Sequence, residues 1–135
     1  KVGIKTMALI IIGMPGETKQ SIEDTISFAK KLSTDVVAFY AVMVYPGNEL
    51  YEIIKKEGKL LHENFGSFSC LINSSSSKLH YVPDGLTEDY IKKSISRAYK
   101  EFYIRPSYMI RQLFSIKSMV DIKRFWRGFK AVIKI

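Results

Sequence analysis

The sequence predicts an α/β fold in which two parallel strands alternate with helices. Residues 7–12 and 36–44 are two nearly continuous apolar runs, and such runs are typical of strands that are buried on both faces. Each run ends in a Gly/Pro corner, after which the apolar residues recur at helical spacing. The order strand, helix, strand, helix with short links favours a parallel sheet and a right-handed crossover. We therefore expect a βαβα unit within residues 1–58.

Two helices complete this unit. The first is predicted over residues 18–32, where one apolar stripe is formed by Ile22, Ile26, Ala29 and Leu32. The second is shorter and is predicted over residues 49–57, because Asn48 can cap its first turn and Gly58 can end it.

The rest of the chain divides into a connection and a helical extension. Residues 59–86 are expected to be irregular, since they combine short apolar clusters with a run of four serines at 74–77 and a Pro-Asp-Gly turn. Helices are then predicted over 87–104, 107–116 and 118 to the end. The first of them carries an apolar stripe of Ile91, Ile95, Ala98 and Phe102. Residues 87–135 are thus expected to form a helical C-terminal extension.

The net charge of +8 is concentrated in the last quarter of the chain, where eight Lys/Arg face one acid, Asp121. In the final helix, one arc holds Lys123, Arg127, Lys130 and Lys134. The other side holds Ile122, Phe125, Trp126, Phe129, Val132 and Ile133. This pattern is typical of a helix on an anionic membrane surface. The alternative is a helix that packs its apolar side on the domain and leaves the lysines in water. Nucleic acid is disfavoured, because the aromatic residues lie away from the charges.

The single cysteine, Cys70, excludes an internal disulfide framework and fits a reducing cytoplasm. Its spacing from His62 and His80 matches no common metal-ligand pattern, so we expect these to be surface or substrate-loop residues and assign no metal ligand. The longest apolar run, 36–45, is too short to cross a bilayer. We expect a cytoplasmic protein, with residues 118–135 as a candidate contact with a membrane. The chain starts at Lys1 on the threshold of a strand, and we expect it to be a piece of a longer protein.

The corner GMPGET at residues 13–18 is the first candidate binding element. In parallel α/β folds, ligands lie at the carboxyl ends of the strands, where both Gly/Pro corners are expected to meet. Gly13 and Gly16 would let a flat ligand approach the backbone, and the amides before the helix would favour a carboxylate or phosphate. The alternative is a corner that only turns a strand into a helix. We expect Glu17 to open the helix rather than to act as an acid or base. Neither the Walker A nor the Rossmann glycine pattern is present.

Two long segments resemble a known family. GIKTMALIIIGMPGETKQSIEDTISFAKKL and DVVAFYAVMVYPGNELYEIIKKEGKL resemble the later part of a radical S-adenosylmethionine (SAM) core of the Elongator/coproporphyrinogen-oxidase-like type, in the group associated with cobalamin-binding domains. Asn48 stands where the family usually has Thr, and EFYIRPSYMIRQL resembles the tail of the cobalamin-associated members. The resemblance implies the last βα units of a partial (β/α)6 TIM-like barrel, followed by a helical extension.

The resemblance also implies a set of cofactor-binding residues. Ile11 would pack against the adenine of SAM, with Gly13 as the glycine that ends the strand. Leu9 stands where some relatives place a polar residue that reaches the ribose. The next strand would offer backbone groups to the adenine edge. The full set is Ile11, Gly13, Met14, Gly16, Met43, Val44 and Tyr45, and the alternative for Ile11, Met43 and Val44 is core packing.

The implied chemistry is reductive cleavage of SAM by a [4Fe–4S] cluster, followed by radical methylation, cyclisation or rearrangement of a small-molecule or lipid-like substrate. The Cys-x-x-x-Cys-x-x-Cys loop that holds such a cluster is absent, so we expect this chain alone to be inactive and assign no catalytic residue. The cluster, and a cobalamin domain, would belong to the missing N-terminal part. The competing hypothesis is a non-catalytic module that docks on a membrane or a partner protein through its basic C-terminal helix.

Overall fold

The computed structural model describes residues 4–61, 78–115 and 119–134. The elements follow the predicted α/β order: β1 (Met7–Ile12), α1 (Lys19–Lys31), β2 (Val36–Ala41), α2 (Glu49–Lys56), α3 (Glu88–Tyr103), α4 (Pro106–Ser115) and α5 (Met119–Lys134). The second strand ends three residues earlier than predicted, at Ala41. The predictions for His62, Cys70, the serine run at 74–77 and a helix start at Ser118 lie outside the described residues.

The two strands form a parallel pair, as the sequence predicts. Met7 lies opposite Val36 and Ile12 opposite Ala41, and α1 connects the two strands. Among the described residues the sheet has these two strands. The α/β assignment is therefore confirmed. The partial barrel is not confirmed, because the sheet of the described residues contains two strands.

One face of the sheet is covered by α1 and α3. Except for Leu32, which is the half-buried C-cap of α1, the predicted apolar stripes of both helices pack against the core-facing side chains of β1 and β2, such as Ile12 and Phe39, in one cluster. A second cluster lies beneath α2 and consists of Val42, Val44, Tyr51, Ile54 and Tyr81. The stripes are buried because residues three and four apart share a helix face.

The other face of β1 is open, which corrects the prediction of a strand buried on both faces. Met7, Leu9 and Ile11 are 56%, 65% and 51% exposed, while Ile12 is fully buried. Side chains alternate between the two faces of a strand, and in the described part of the chain no element covers the face of Met7, Leu9 and Ile11. The continuous apolar run therefore predicted more burial of β1 than the described part of this chain provides.

Tyrosine hydroxyls cover the edge of β2 that faces away from β1. The Tyr99 hydroxyl donates to the Phe39 carbonyl at 3.1 Å and accepts from the Phe39 amide at 3.0 Å. The Tyr103 hydroxyl does the same for Val37, at 2.7 and 3.1 Å. Residues four apart rise about 6 Å along a helix, close to the roughly 6.6 Å between alternate residues of a strand. The two tyrosines of α3 thus take the place of a neighbouring strand.

The loop between α1 and β2 is held by side chains from the residues just after α3 and from α4. Arg105 donates to the carbonyl of Leu32 at 3.1 Å, and Arg111 donates to the carbonyls of Ser33 and Thr34. The Tyr108 hydroxyl donates to the Asp35 carbonyl at 3.0 Å. Part of the basic excess of the last quarter is thus structural, because these arginines bind backbone carbonyls at the C-cap of α1 and in the loop that follows it.

Helix α5 divides its apolar side chains between the domain and the surface. Val132 is buried and α5 packs against α3, whereas Trp126 is 55% and Met119 is 72% exposed. Lys130 lies over the Trp126 ring, 5.5 Å from its centroid. The helix therefore packs only part of its apolar side on the domain, and its contact with a membrane stays a prediction. The helices of the described residues are too short or too polar to cross a membrane.

Candidate ligand-binding rim

The first corner is a tight turn over residues 14–17. The Glu17 amide donates to the Met14 carbonyl at 3.1 Å, with Pro15 and Gly16 as the central residues. Gly16 has a φ of +82°, and the order Pro-Gly is the one that a type II turn requires. Thr18 then caps α1 by accepting from the Ser21 amide, a role that the sequence analysis did not assign to it. The turn reverses the chain directly after β1 and starts the helix.

The second corner repeats the same construction. The Asn48 amide donates to the Tyr45 carbonyl at 3.4 Å across Pro46 and Gly47, whose φ is +90°. Asn48 then caps α2 by accepting from the Tyr51 amide at 2.7 Å, as predicted.

The two corners belong to the same end of the sheet. The Val42 amide donates to the Ile12 carbonyl at 2.9 Å, so the strands are still joined where the corners begin. We call residues 11–17 and 42–48 the rim. Carboxyl ends of neighbouring parallel strands are where α/β proteins place ligands.

The Glu17 carboxylate binds the backbone amides that the sequence analysis suggested for an anionic ligand. Its Oε2 accepts from the Gly13 amide at 2.5 Å and from the Met14 amide at 3.2 Å. Both donors are therefore satisfied by the protein's own carboxylate. The expectation that Glu17 opens the helix is wrong, because Thr18 is the cap and the first turn of α1 holds no acid. The carboxylate instead closes the corner by accepting from these two amides.

The two glycines of the first corner serve different purposes. Gly13 has a φ of +96°, and a Cβ there would lie 3.4 Å from Ile91 Cδ1 and 3.6 Å from Val42 Cγ1. Its bare side thus faces the core at ordinary contact distances, so backbone conformation is what requires glycine there. A Cβ at Gly16 would meet nothing within 4 Å, which leaves that side open to a ligand.

The side chains of the rim are largely apolar and accessible. Ile11, Met14 and Tyr45 are exposed large hydrophobic residues. Met43 is half-buried, and the Tyr45 hydroxyl lies 3.6 Å from its sulfur. The structure therefore places four of the seven predicted site residues where their side chains are wholly or partly accessible.

Val44 is placed differently from these four. Its side chain is fully buried beneath α2, so only its backbone is available to a ligand. The sequence analysis assigned it a backbone role, and that role stays a prediction. The roles of the other six predicted site residues in binding a cofactor stay predictions as well.

The histidine of the described connection is not at the surface. His80 is 1% exposed, and its carbonyl accepts from the Leu61 amide at 2.8 Å. The expectation of a surface histidine is therefore wrong for His80, because residues 79–83 are largely buried beside the two core clusters. In the described ranges, no group of three His, Cys, Asp or Glu is arranged to hold a metal ion.

Sequence reasoning missed the tyrosines that hold β2. Tyr99 and Tyr103 lie beside the apolar stripe of α3, and their i, i+4 spacing was the available signal. Their role needed the position of β2, which no helical pattern contains. Burial raises the pKa of Tyr103 and raises the pKa of Tyr108 to about 12.

Two relatives cover nearly the whole chain. An uncharacterized methyltransferase of Pyrococcus horikoshii is 34% identical over 132 residues, which make up 98% of this chain and 27% of the relative. An uncharacterized methyltransferase of Synechocystis sp. is 23% identical over 137 residues, 91% of this chain and 24% of the relative. The chain thus spans about a quarter of the length of the curated relatives that it matches. No family model and no solved structure matches it.

These relatives correct the family assignment made from the motifs. Both are named as methyltransferases, and neither name is that of a radical SAM protein. The radical SAM assignment is therefore not kept, and the [4Fe–4S] cluster and cobalamin that it implied have no support. The relatives give no support to a purely non-catalytic docking module either. What remains from the resemblance is the expectation of SAM itself.

Proposed function

We propose that this chain forms part of a SAM-dependent methyltransferase and that its rim binds the adenosyl part of SAM. The observation that carries the proposal is the pairing of two Pro-Gly corners at one end of a parallel sheet, bordered by exposed apolar side chains. The names of the two relatives support methyl transfer as the reaction.

The rim suits the adenine better than the amino-acid part of SAM. Ile11 offers an accessible apolar surface for a flat ring, and the open side of Gly16 leaves room beside it. The carboxylate of Glu17 holds the first corner in shape through the Gly13 and Met14 amides. It acts here as a positioning residue. The charged amino and carboxyl groups of SAM would need partners from the rest of a longer protein.

The finer fold belongs to the same proposal. We take β1 and β2, with α1 and α2, as the last two βα units of a partial (β/α)6 TIM-like barrel. The uncovered face of Met7, Leu9 and Ile11 would then point into the barrel, towards the substrate. A small-molecule or lipid-like acceptor fits an apolar interior of this kind.

The experiment that tests the proposal measures SAM affinity by isothermal titration calorimetry on the complete polypeptide. Ile11→Ala removes most of the apolar surface offered to adenine, roughly 50 Å², which at about 25 cal/mol per Å² weakens binding by about tenfold. Ile53→Ala is the matched control, because Ile53 is an equally exposed isoleucine on α2 outside the rim. Its affinity should stay within about twofold of the parent protein. Equal effects of the two substitutions would contradict adenine binding at Ile11.

Activity is tested separately with SAM labelled in its methyl group. The complete polypeptide should transfer the label to an acceptor in a small-molecule or lipid extract. Binding of SAM without any transfer would keep the rim as a binding site but reject methyl transfer as its purpose.

A further inference from the structure

Helices α4 and α5 carry six large hydrophobic side chains that the domain leaves exposed. Phe114 is 86% exposed, the highest value among the large hydrophobic residues of the described ranges. The full set, which we call the α4–α5 surface, is Ile110, Leu113, Phe114, Met119, Ile122 and Trp126. Large exposed apolar patches are uncommon on proteins unless they bind something. Half of the surface lies on α4, outside the residues 118–135 that the sequence pattern singled out.

Each helix presents its share of the surface on one side. The three residues of α4 are spaced i, i+3 and i+4, and the three of α5 are spaced i, i+3 and i+7. Residues at these intervals share one side of a helix. Phe114 and Met119 are five positions apart, so their Cα atoms are at most about 18 Å apart. The two apolar stripes therefore lie close to each other at the junction of the helices.

The α4 part of this surface lies at the amino end of the sheet, away from the rim. Arg111 of α4 donates to the carbonyls of Ser33 and Thr34, just before β2 begins. The rim follows the other end of β2, and a strand of six residues is about 20 Å long. A partner bound to α4 would therefore leave the rim accessible.

Exposed cations border the apolar residues of α5. The side chains of Lys123, Arg127 and Lys130 are exposed, and within the described ranges none of them forms an ion pair. Lys130 lies over the ring of Trp126. The last quarter of the chain holds eight Lys/Arg and one acid, so few carboxylates are available nearby. A partner of negative charge complements a surface of this composition.

We propose that the α4–α5 surface binds an anionic membrane, with Phe114 of α4 as its main apolar contact. Aromatic and aliphatic side chains beside Lys and Arg are typical of helices that lie in the membrane interface. A second copy of this chain is disfavoured, because it would bring two positively charged surfaces together. The last turns of α5 contribute less than the sequence pattern suggests, since Val132 is buried. Neither SAM binding nor methyl transfer is required for this contact.

The test measures the binding of the complete polypeptide to sedimented vesicles. One set of vesicles contains phosphatidylglycerol and phosphatidylcholine, and the other contains phosphatidylcholine alone. Anionic vesicles should bind the protein at least about tenfold more strongly than neutral ones, because each exposed cation near the surface adds to the attraction by anionic lipid. This preference should fall as the salt concentration rises, because salt screens exposed charges.

Substitutions on α4 distinguish this surface from a contact made by α5 alone. Phe114→Ser should weaken binding to anionic vesicles by about tenfold, and Ile110→Ser by about fivefold. Ile53→Ser is the matched control, because Ile53 is an isoleucine of similar exposure on α2, 45% against 53% for Ile110. Its binding should stay within about twofold of that of the parent protein. All three side chains are exposed, so each thermal midpoint should stay within about 3 °C of the parent value.

The cations are tested in the same way. Lys123→Gln and Arg127→Gln should each weaken binding to anionic vesicles by about fivefold and leave binding to neutral vesicles unchanged. Lys56→Gln removes an exposed charge from α2 and is the matched control, with an expected effect below about twofold.

Four results would overturn the proposal. Absence of binding to anionic vesicles would exclude a membrane as the partner, and equal binding to both kinds of vesicle would show that the cations play no part. Equal effects of Ile110→Ser and Ile53→Ser, with a loss caused by Trp126→Ala, would assign the contact to α5 alone. A dimer in solution that Phe114→Ser dissociates would assign the surface to a second copy.

Discussion

The hydroxyl of Tyr103 can be removed without changing the shape of its ring, by the substitution Tyr103→Phe. The change leaves both the amide and the carbonyl of Val37 without their partner, at hydrogen-bond distances of 3.1 and 2.7 Å in the parent protein. Val37 is 1% exposed, so water does not readily replace the hydroxyl. Leaving a buried donor or acceptor unsatisfied costs about 1–3 kcal/mol. We expect the free energy of unfolding to fall by about 2–4 kcal/mol in total.

The assay is urea unfolding followed by circular dichroism. With a slope of about 2 kcal/mol per M, the expected loss moves the midpoint down by about 1–2 M urea. Tyr45→Phe is the control, because the Tyr45 side chain is exposed and its hydroxyl contacts the sulfur of Met43 at 3.6 Å. Its midpoint should change by less than about 0.3 M. A loss below about 0.5 kcal/mol for Tyr103→Phe would refute the argument that tyrosines replace a strand at this edge.

Further outcomes are expected for the same domain. Gly13→Ala should lower the free energy of unfolding by about 1–2 kcal/mol, as should Gly47→Ala, because both positions have positive φ and neither Cβ meets a clash; a loss below about 0.3 kcal/mol in urea unfolding would contradict this. Glu17→Ala should cost about 1–2 kcal/mol in the same assay, and Glu17→Gln less, because an amide oxygen can still accept from the corner amides; equal losses would show that the charge itself matters. Folding raises the pKa of the Tyr108 hydroxyl from 10.0 to about 12. Its contribution to the free energy of unfolding is therefore complete below pH 10 and falls as the pH rises towards 12. The free energy of unfolding measured across this range should decline less in Tyr108→Phe. A contact of residues 118–135 with membranes stays a prediction: the chain should float with anionic vesicles and not with neutral ones, and Trp126→Ala should weaken the association.

Local chemistry in the sequence was enough to predict most elements. Asn48 caps α2 as predicted. Thr18 and Thr87, the first residues of the helices predicted over 18–32 and 87–104, also serve as caps, and all three accept from an amide three residues later. Apolar periodicity correctly identified the buried stripes of α1 and α3, because a helix repeats its faces at a constant interval. The Pro-Gly corners were likewise predictable, since positive φ at the third turn position favours glycine.

The candidate site was less predictable than the elements that form it. The amides of the first corner were expected to face a ligand, yet Glu17 reaches back four residues to the Gly13 amide. Val44 and Ile11 look alike in the sequence, but one lies beneath α2 and the other on an open face. Such differences depend on which neighbouring element covers a residue, and this information is not local. The seven predicted rim residues therefore remain predictions for SAM binding.

By itself, the sequence determined the α/β order, the parallel pair and the places where the chain turns, because these follow from periodicity, caps and glycine conformation. Only the tertiary structure decided which sheet edge is closed and which is open. That outcome rests on contacts between residues about 60 positions apart, such as Tyr99 with Phe39 and Tyr103 with Val37. A hydroxyl can replace a strand only when a helix holds it within hydrogen-bond distance of a backbone, and no residue pattern within one segment records that distance.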